Sequence, residues 1–313
     1  MGEVEFVGGD GWISDDSSFY GDEDSKQQLE QISTQCNVSQ KNNLNTLIEK
    51  SKTRSKKMEQ LELSHPGQGR HDSWHLFESA EEFVKRVPPL TTSIQICDWI
   101  WVHKPNLNPH GAMSAPSNEM RLMSCGQELL ASSIAKRSEI KSGKVKQMVT
   151  KQLNVEAKLL EQQITDLAVE MNVLHGKWML FPEVDAVTRV WRVIVDAVIN
   201  GKLGPTAKVA PDDGTNKARL ICIYTNDFRD KEDVLRVLRQ LVSLGVVNPQ
   251  RNIYYKTDVN TILGIYGGTA SNYGLQASLY SSQKMLADAQ VHQSNATASS
   301  QAGPHFKKRK ISS

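Results

Sequence analysis

The chain reads as one α+β domain between two polar tails, and three observations predict this. Short β-branched and aromatic runs (Ile94–Val102, Lys177–Phe181, Ala218–Tyr224) alternate with segments whose apolar residues recur every three or four positions. Turn and capping residues punctuate them. Before Trp74 and after Ala287, large apolar side chains become too sparse to offset the entropy of ordering the chain.

At 313 residues the chain has room for one large domain or two small ones. A composition 39% hydrophobic and 23% charged is ordinary for a globular protein with polar extensions. The net charge of +2 supplies no global field, so affinity for nucleic acid has to come from a local patch. Cys36, Cys97, Cys125 and Cys222 lack CxxC or Cys/His spacing and read as reduced thiols. The start Met1-Gly2-Glu3-Val4-Glu5 lacks the basic-then-apolar pattern of a secretory signal. No apolar run approaches the roughly 18–20 residues that span a bilayer. A soluble protein of the cytoplasm is expected, with no membrane partner.

Residues 1–72 are expected to be a disordered tail, acidic first (Glu3, Glu5, Asp10, Asp15, Asp16) and then basic (Lys50, Lys52, Arg54, Lys56, Lys57). Residues 73–286 form the expected domain. Residues 287–313, rich in Ala, Ser, Gln and Asn, form a second expected disordered tail. It ends in Lys307-Lys308-Arg309-Lys310, which resembles a short nuclear import signal and adds the nucleus as an expected location.

Within the domain, order begins at Trp74. Ser79-Ala80-Glu81-Glu82 is a capping box, and Pro88-Pro89 stops the helix it opens. Ile94–Val102 reads as a strand, Pro105–Ser117 as a loop, and Gln127–Arg137 as helix. Leu160, Ile164, Leu167, Met171 and Leu174 lie on one helical face, which Gly176 is expected to end. Lys177–Phe181 is a strand; Val187, Trp191, Ile194 and Val198 then share a helix face that stops at Gly201. Pro211-Asp212-Asp213-Gly214 joins strands Thr206–Ala210 and Ala218–Tyr224. Asp230 and Asp233 open a helix with Val234, Val237, Leu238, Leu241 and Leu244 inward, and Gly245 ends it. Ile253–Lys256, Leu263–Tyr266 and Leu279–Ser282 are the remaining expected strands.

Catalytic patterns are absent. The His residues sit at no HExxH spacing, and there is no GxSxG elbow, phosphate loop or GxGxxG fingerprint. The expectation is a protein that is not an enzyme and takes no cofactor or metal. Asp227, Asp230 and Asp233 read as helix-start acids rather than cation ligands. Trp178, Trp191 and Cys222 read as core. Trp99 and Trp101, two apart, project from one side of a strand, where core packing is expected and a stacking surface is the alternative.

The block Gly176-Lys177-Trp178, the helix with Trp191, Gly201-Lys202-Leu203-Gly204, the strand with Lys208 and Leu220–Thr225 is similar to the second half of the translation initiation factor 4E fold. More closely, with Gly264-Ile265-Tyr266 and Leu275–Ser282, the chain resembles the uncharacterised family typified by basophilic leukaemia expressed protein, over about Trp74 to Ser282. The resemblance implies a curved antiparallel sheet backed by helices. In the 4E family a cationic methylated guanine stacks between two Trp faces, a carboxylate accepts its N–H groups, and Lys/Arg hold its phosphates. That comparison makes Lys208, Lys217, Arg219, Lys256 and Trp101 the ligand-binding candidates, against the alternative that they are solvent-facing charges at strand ends. No Trp here is directly followed by Asp or Glu, the pair that the 4E family uses. The expected function is a non-catalytic binding module taking a nucleotide or RNA end on the concave sheet face. The alternative is a protein-interaction adaptor with no nucleic-acid ligand, recruiting partners through its tails or helical face.

Overall fold

A computed structural model describes residues 63–106, 117–142 and 146–301, with the side chains of residues 146–147 and 292–301 excepted. The acidic and basic segments before Leu63 and the Lys307–Lys310 cluster lie outside the described residues. The fold is α+β, built on a curved, unclosed sheet backed by helices.

Among the described residues six strands make the sheet: β1 (Ile100–His103), β2 (Gly176–Leu180), β3 (Thr206–Val209), β4 (Ile221–Thr225), β5 (Tyr254–Thr257) and β6 (Tyr280–Ser281). Their order is β1-β3-β4-β2-β5-β6, antiparallel throughout. Strand alternation sends Val102, Ala207, Ile223, Trp178 and Tyr255 to one face, where each is fully buried. Two amphipathic helices cover that face, α4 (Val184–Ile199) and α5 (Lys231–Ser243). The Trp178 indole N–H donates to the Val234 carbonyl at 3.1 Å, tying β2 to α5.

Both helices follow their expected inward faces: Val187, Trp191, Ile194 and Val198 of α4 are fully buried, as are Val234, Val237, Leu238 and Leu241 of α5. Gly201 and Gly245, at φ of 67°, supply the left-handed residue that ends each one. Asp230 caps α5 by accepting from the Asp233 amide at 3.0 Å. The capping box opens helix α1 (Ala80–Arg86), with Ser79 and Glu82 each accepting from the other's backbone amide. Its Phe83 ring lies 6.4 Å from Trp191.

Two longer helices, α2 (Glu119–Lys141) and α3 (Lys146–Glu170), pack side by side. The first extends well beyond the expected Gln127–Arg137, because its apolar positions are few and its ends are polar. The second buries Leu160, Ile164, Leu167 and Ala168. It ends at Glu170, not at Gly176; Asn172 takes the left-handed conformation (φ 55°) and Gly176 is the first residue of β2. A Cβ at Gly176 would stand 2.3 Å from the Tyr255 hydroxyl, so this glycine makes room for a neighbouring ring.

The segment Ile94–Val102 is strand only from Ile100 onward. Ser93 and Ile94 are anchored to Asp212, the chain turns, and Ile94 and Ile96 are exposed. Leu263–Tyr266 is not a strand. After α6 (Asp258–Ile262) it forms a turn through Gly264 (φ 67°), because β6 already occupies the edge of β5. Leu263 and Ile265 are buried without pairing. Helix α7 (Ala270–Tyr273) and helix α8 (Ser282–Gln301) complete the fold, the latter running past residue 286, the end of the expected domain.

Before the expected start at Trp74, Ser64 pairs with Asn106 through backbone hydrogen bonds of 3.0 and 2.9 Å. The segment Asp72–Trp74 lies along β1: the Trp101 amide donates to the Asp72 carbonyl at 2.8 Å, and the Trp74 amide donates to the Trp101 carbonyl at 3.0 Å. That covers the outer edge of β1.

Candidate functional site: a lysine-rich aromatic sheet face

The sheet face turned away from α4 and α5 takes the other set of alternating residues. Strand register places Trp101 beside Lys208, Lys208 beside Cys222, and Cys222 beside Met179. One row along, Tyr224 lies beside Lys177 and Lys177 beside Lys256. Five strands thus bring three lysines together with Trp and Tyr rings.

The Lys208 ammonium stands over rings rather than carboxylates. Its Nζ is 4.0 Å from the ring centroid of Trp99, 4.8 Å from that of Trp101 and 5.7 Å from that of Tyr224. Lys177 pairs with Asp258 at 2.5 Å and lies 5.3 Å from the Tyr224 ring. Lys256 sits 3.6 Å over the Tyr266 ring. Among the described residues, Asp258 is the one carboxylate in ion-pair contact with any of these three ammonium groups.

Burial works against the charges of Lys256 and Lys208. Lys177 and Lys256 are 7% and 5% exposed. Burial, with the nearby Lys177 charge, brings the Lys256 ammonium down to about 8 against the opposing effect of Asp258. Burial likewise lowers Lys208, where Lys177 also opposes its charge. The Cys222 thiol, on the floor of the same face, is pushed up to about 11 by burial, which keeps it protonated and a poor nucleophile. Tyr224 is raised by burial as well.

An aromatic row extends from this centre to the sheet edge. The Trp101 and His103 rings stack at 5.8 Å with planes 5° apart, His103 stacks on His65 at 6.1 Å, and His65 on Trp74 at 5.0 Å. Burial and the neighbouring His65 and Arg70 hold His103 down at about 4, so it is neutral at physiological pH. The Thr206 hydroxyl lies 2.9 Å from His103 Nδ1 and 2.7 Å from the Val102 carbonyl. With the hydroxyl donating to that carbonyl, the ring proton is assigned to Nδ1. Ammonium groups beside open aromatic rings have the chemistry to pair with an anion and to stack on a planar ring.

Of the sequence candidates, Trp101, Lys208 and Lys256 lie on this face. Lys217 is exposed on the β3–β4 connection. Arg219 is 4% exposed and committed inward: its guanidinium pairs with Asp212 at 2.6 Å and Asp213 at 2.9 Å, and donates to the Thr215 and Lys217 carbonyls. It closes the connection. Sequence reasoning passed over Lys177, Tyr224, His103 and the His65–Trp74 segment. A lone charge between Gly176 and Trp178 in an apolar strand was the available signal for Lys177. Both Trp99 and Trp101 are half-buried on the lysine face, so core packing does not describe them.

Trp99 also walls a cavity of about 480 Å³ together with Ile94, Asp98, Pro211, Asp213 and Leu220. A larger cavity of about 810 Å³ is lined by none of Lys177, Lys208 and Lys256; it lies against Leu235, Tyr254, Tyr280 and Met285, and the charges on its wall are balanced, with Lys231 and Lys284 against Glu232 and Asp288. Among the described residues no cluster of His, Cys, Asp or Glu is arranged to hold a metal ion, and no helix is long and apolar enough to cross a membrane.

Among solved structures, the chain is similar to eIF4E-3 of Ascaris suum in complex with an m2,2,7G cap, at 20% identity and a TM-score of 0.24, over 28% of this chain and 52% of that one. The same protein with an m7G cap matches with the same values. The match thus spans about half the length of those structures. The family of basophilic leukemia-expressed protein Bles03 matches residues 18–264. With most of its length covered by that one match, the chain belongs to the Bles03 family.

Proposed function

We propose that this protein is a non-catalytic binding module whose lysine-rich sheet face takes a nucleotide or the phosphorylated end of an RNA. The observation that carries the reading is the convergence of Lys208, Lys177 and Lys256 among Trp99, Trp101 and Tyr224, with Asp258 the one carboxylate paired with any of them among the described residues. Buried, undercompensated ammonium groups favour an anion, and a phosphate offers charge-assisted hydrogen bonds. Flanking aromatic rings add sequence-tolerant stacking for a base. The Cys222 thiol on the same face is held protonated by burial. The test is titration of a short 5′-phosphorylated RNA at low salt, by fluorescence anisotropy: saturable binding that Lys208→Glu weakens supports the reading, and absence of binding to nucleotides and RNA refutes it.

A protein-interaction adaptor is the second reading, favoured by the exposed Met120, Ile134, Met148, Val155 and Leu159 on α2 and α3. Its test is pull-down before and after nuclease. Partners that survive nuclease and are lost on replacing Met148 and Val155 with Ser support it; loss of every partner on nuclease treatment contradicts it.

A further inference from the structure

We propose that Lys208 is a specificity residue that occupies the stacking surface of Trp99 and Trp101 until a phosphate draws it away, so that the face selects phosphorylated nucleotides over nucleosides. This rests on the nucleotide-binding reading above and goes further by assigning the selection to one side chain. The geometry is specific. A Nζ 4.0 Å from the Trp99 centroid and 4.8 Å from that of Trp101 fills the space a stacked base needs. Among the described residues this ammonium has no hydrogen-bond acceptor and no carboxylate in ion-pair contact; the three rings are its close partners, and the Asp258 charge favours it without an ion-pair contact.

Ring faces attract a cation without fixing its direction, and a phosphate oxygen is the stronger partner. Burial and Lys177 already disfavour the charge of Lys208 in place. A ligand with a phosphate therefore gains twice: it pairs with the displaced ammonium, and its base acquires the vacated indole faces. A nucleoside has to expel the ammonium with nothing to receive it. Lys177 differs, because Asp258 holds it, and so does Lys256, which lies over Tyr266 at 3.6 Å and leaves the Trp pair clear.

The experiment is calorimetric titration of the full chain with the four ribonucleosides and their 5′-diphosphates, in wild type and in Lys208→Ala, which removes the side chain from the indole faces. Wild type is expected to bind a diphosphate at least about tenfold more tightly than its nucleoside. In Lys208→Ala the nucleoside tightens while the diphosphate weakens, so the ratio collapses. A plain phosphate contact moves only the diphosphate; a variant in which nucleoside affinity is unchanged overturns the proposal. Binding of neither class in wild type overturns the nucleotide-binding reading itself, and this proposal with it. If Lys208→Ala does not fold, judged by circular dichroism, Lys208→Ser is equally short and carries the same expectation.

Discussion

Lys208 and Trp101 are register partners across β3 and β1, and the lysine ammonium lies 4.8 Å from the centroid of its partner's ring. The pairing joins the charge and the stacking surface in one cross-strand contact. Reversing the charge with Lys208→Glu should lower affinity for a 5′-phosphorylated RNA by about tenfold or more, and flatten its dependence on salt by about one phosphate contact. Titrations at two or more salt concentrations check both; an unchanged salt slope contradicts the placement of phosphate at Lys208.

Lys256 makes stability depend on pH in a defined direction. Its pKa is lowered in the folded state, from 10.5 to about 8, so the unfolded chain holds more protons between those values. The cost of its buried charge is fully present below about 8 and disappears as pH rises towards 10.5. Lys256→Met should stabilise the fold by up to about 3 kcal/mol at pH 7, with the gain shrinking near pH 10.5. Urea unfolding at the two pH values measures it, and an equal gain at both sinks the assignment.

Trp178 and Trp99 should separate stability from binding. Trp178 is fully buried and hydrogen-bonded to the Val234 carbonyl, so Trp178→Ala should cost about 3–5 kcal/mol. Trp99 is half-buried at the sheet face, and Trp99→Ala should cost only about 1 kcal/mol while weakening nucleotide binding. Denaturant midpoints and titrations of both variants give the comparison.

Gly204 lets a turn approach the site from below. A Cβ there would stand 1.7 Å from the Tyr224 carbonyl oxygen, a backbone atom that cannot swing aside. Gly204→Ala should destabilise by about 3 kcal/mol or more. Ser79→Ala, which removes half of the capping box, should cost about 1 kcal/mol. Thermal melts of the two variants should differ accordingly.

The helices behind the sheet were legible because each buries one face: Trp191 and Ile194 of α4, and Val237 and Leu241 of α5, follow the helical period directly. Gly201 and Ser79 marked ends by local chemistry alone. Leu263–Tyr266 misled because its β-branched and aromatic content matches a strand, whereas pairing depends on a free edge that β6 removes. The site was half legible. The family resemblance pointed to Lys208, Lys256 and Trp101 on their strands, but it pointed equally to Arg219, which Asp212 and Asp213 enclose. Tyr224 and Lys177 join the face only through register between strands far apart in sequence. His65 and Trp74 join it through a segment lying along β1.

The central claim is that a phosphorylated nucleotide binds on the lysine face, in contact with Trp99 and Trp101. Indole N–H signals of ¹⁵N-labelled protein, followed by NMR during titration with a 5′-phosphorylated RNA at low salt, test it most directly. The account predicts saturable shifts of the Trp99 and Trp101 signals, with those of the buried Trp178 and Trp191 nearly still. Unmoved Trp99 and Trp101 signals, at RNA concentrations that saturate binding or throughout the titration, would contradict it.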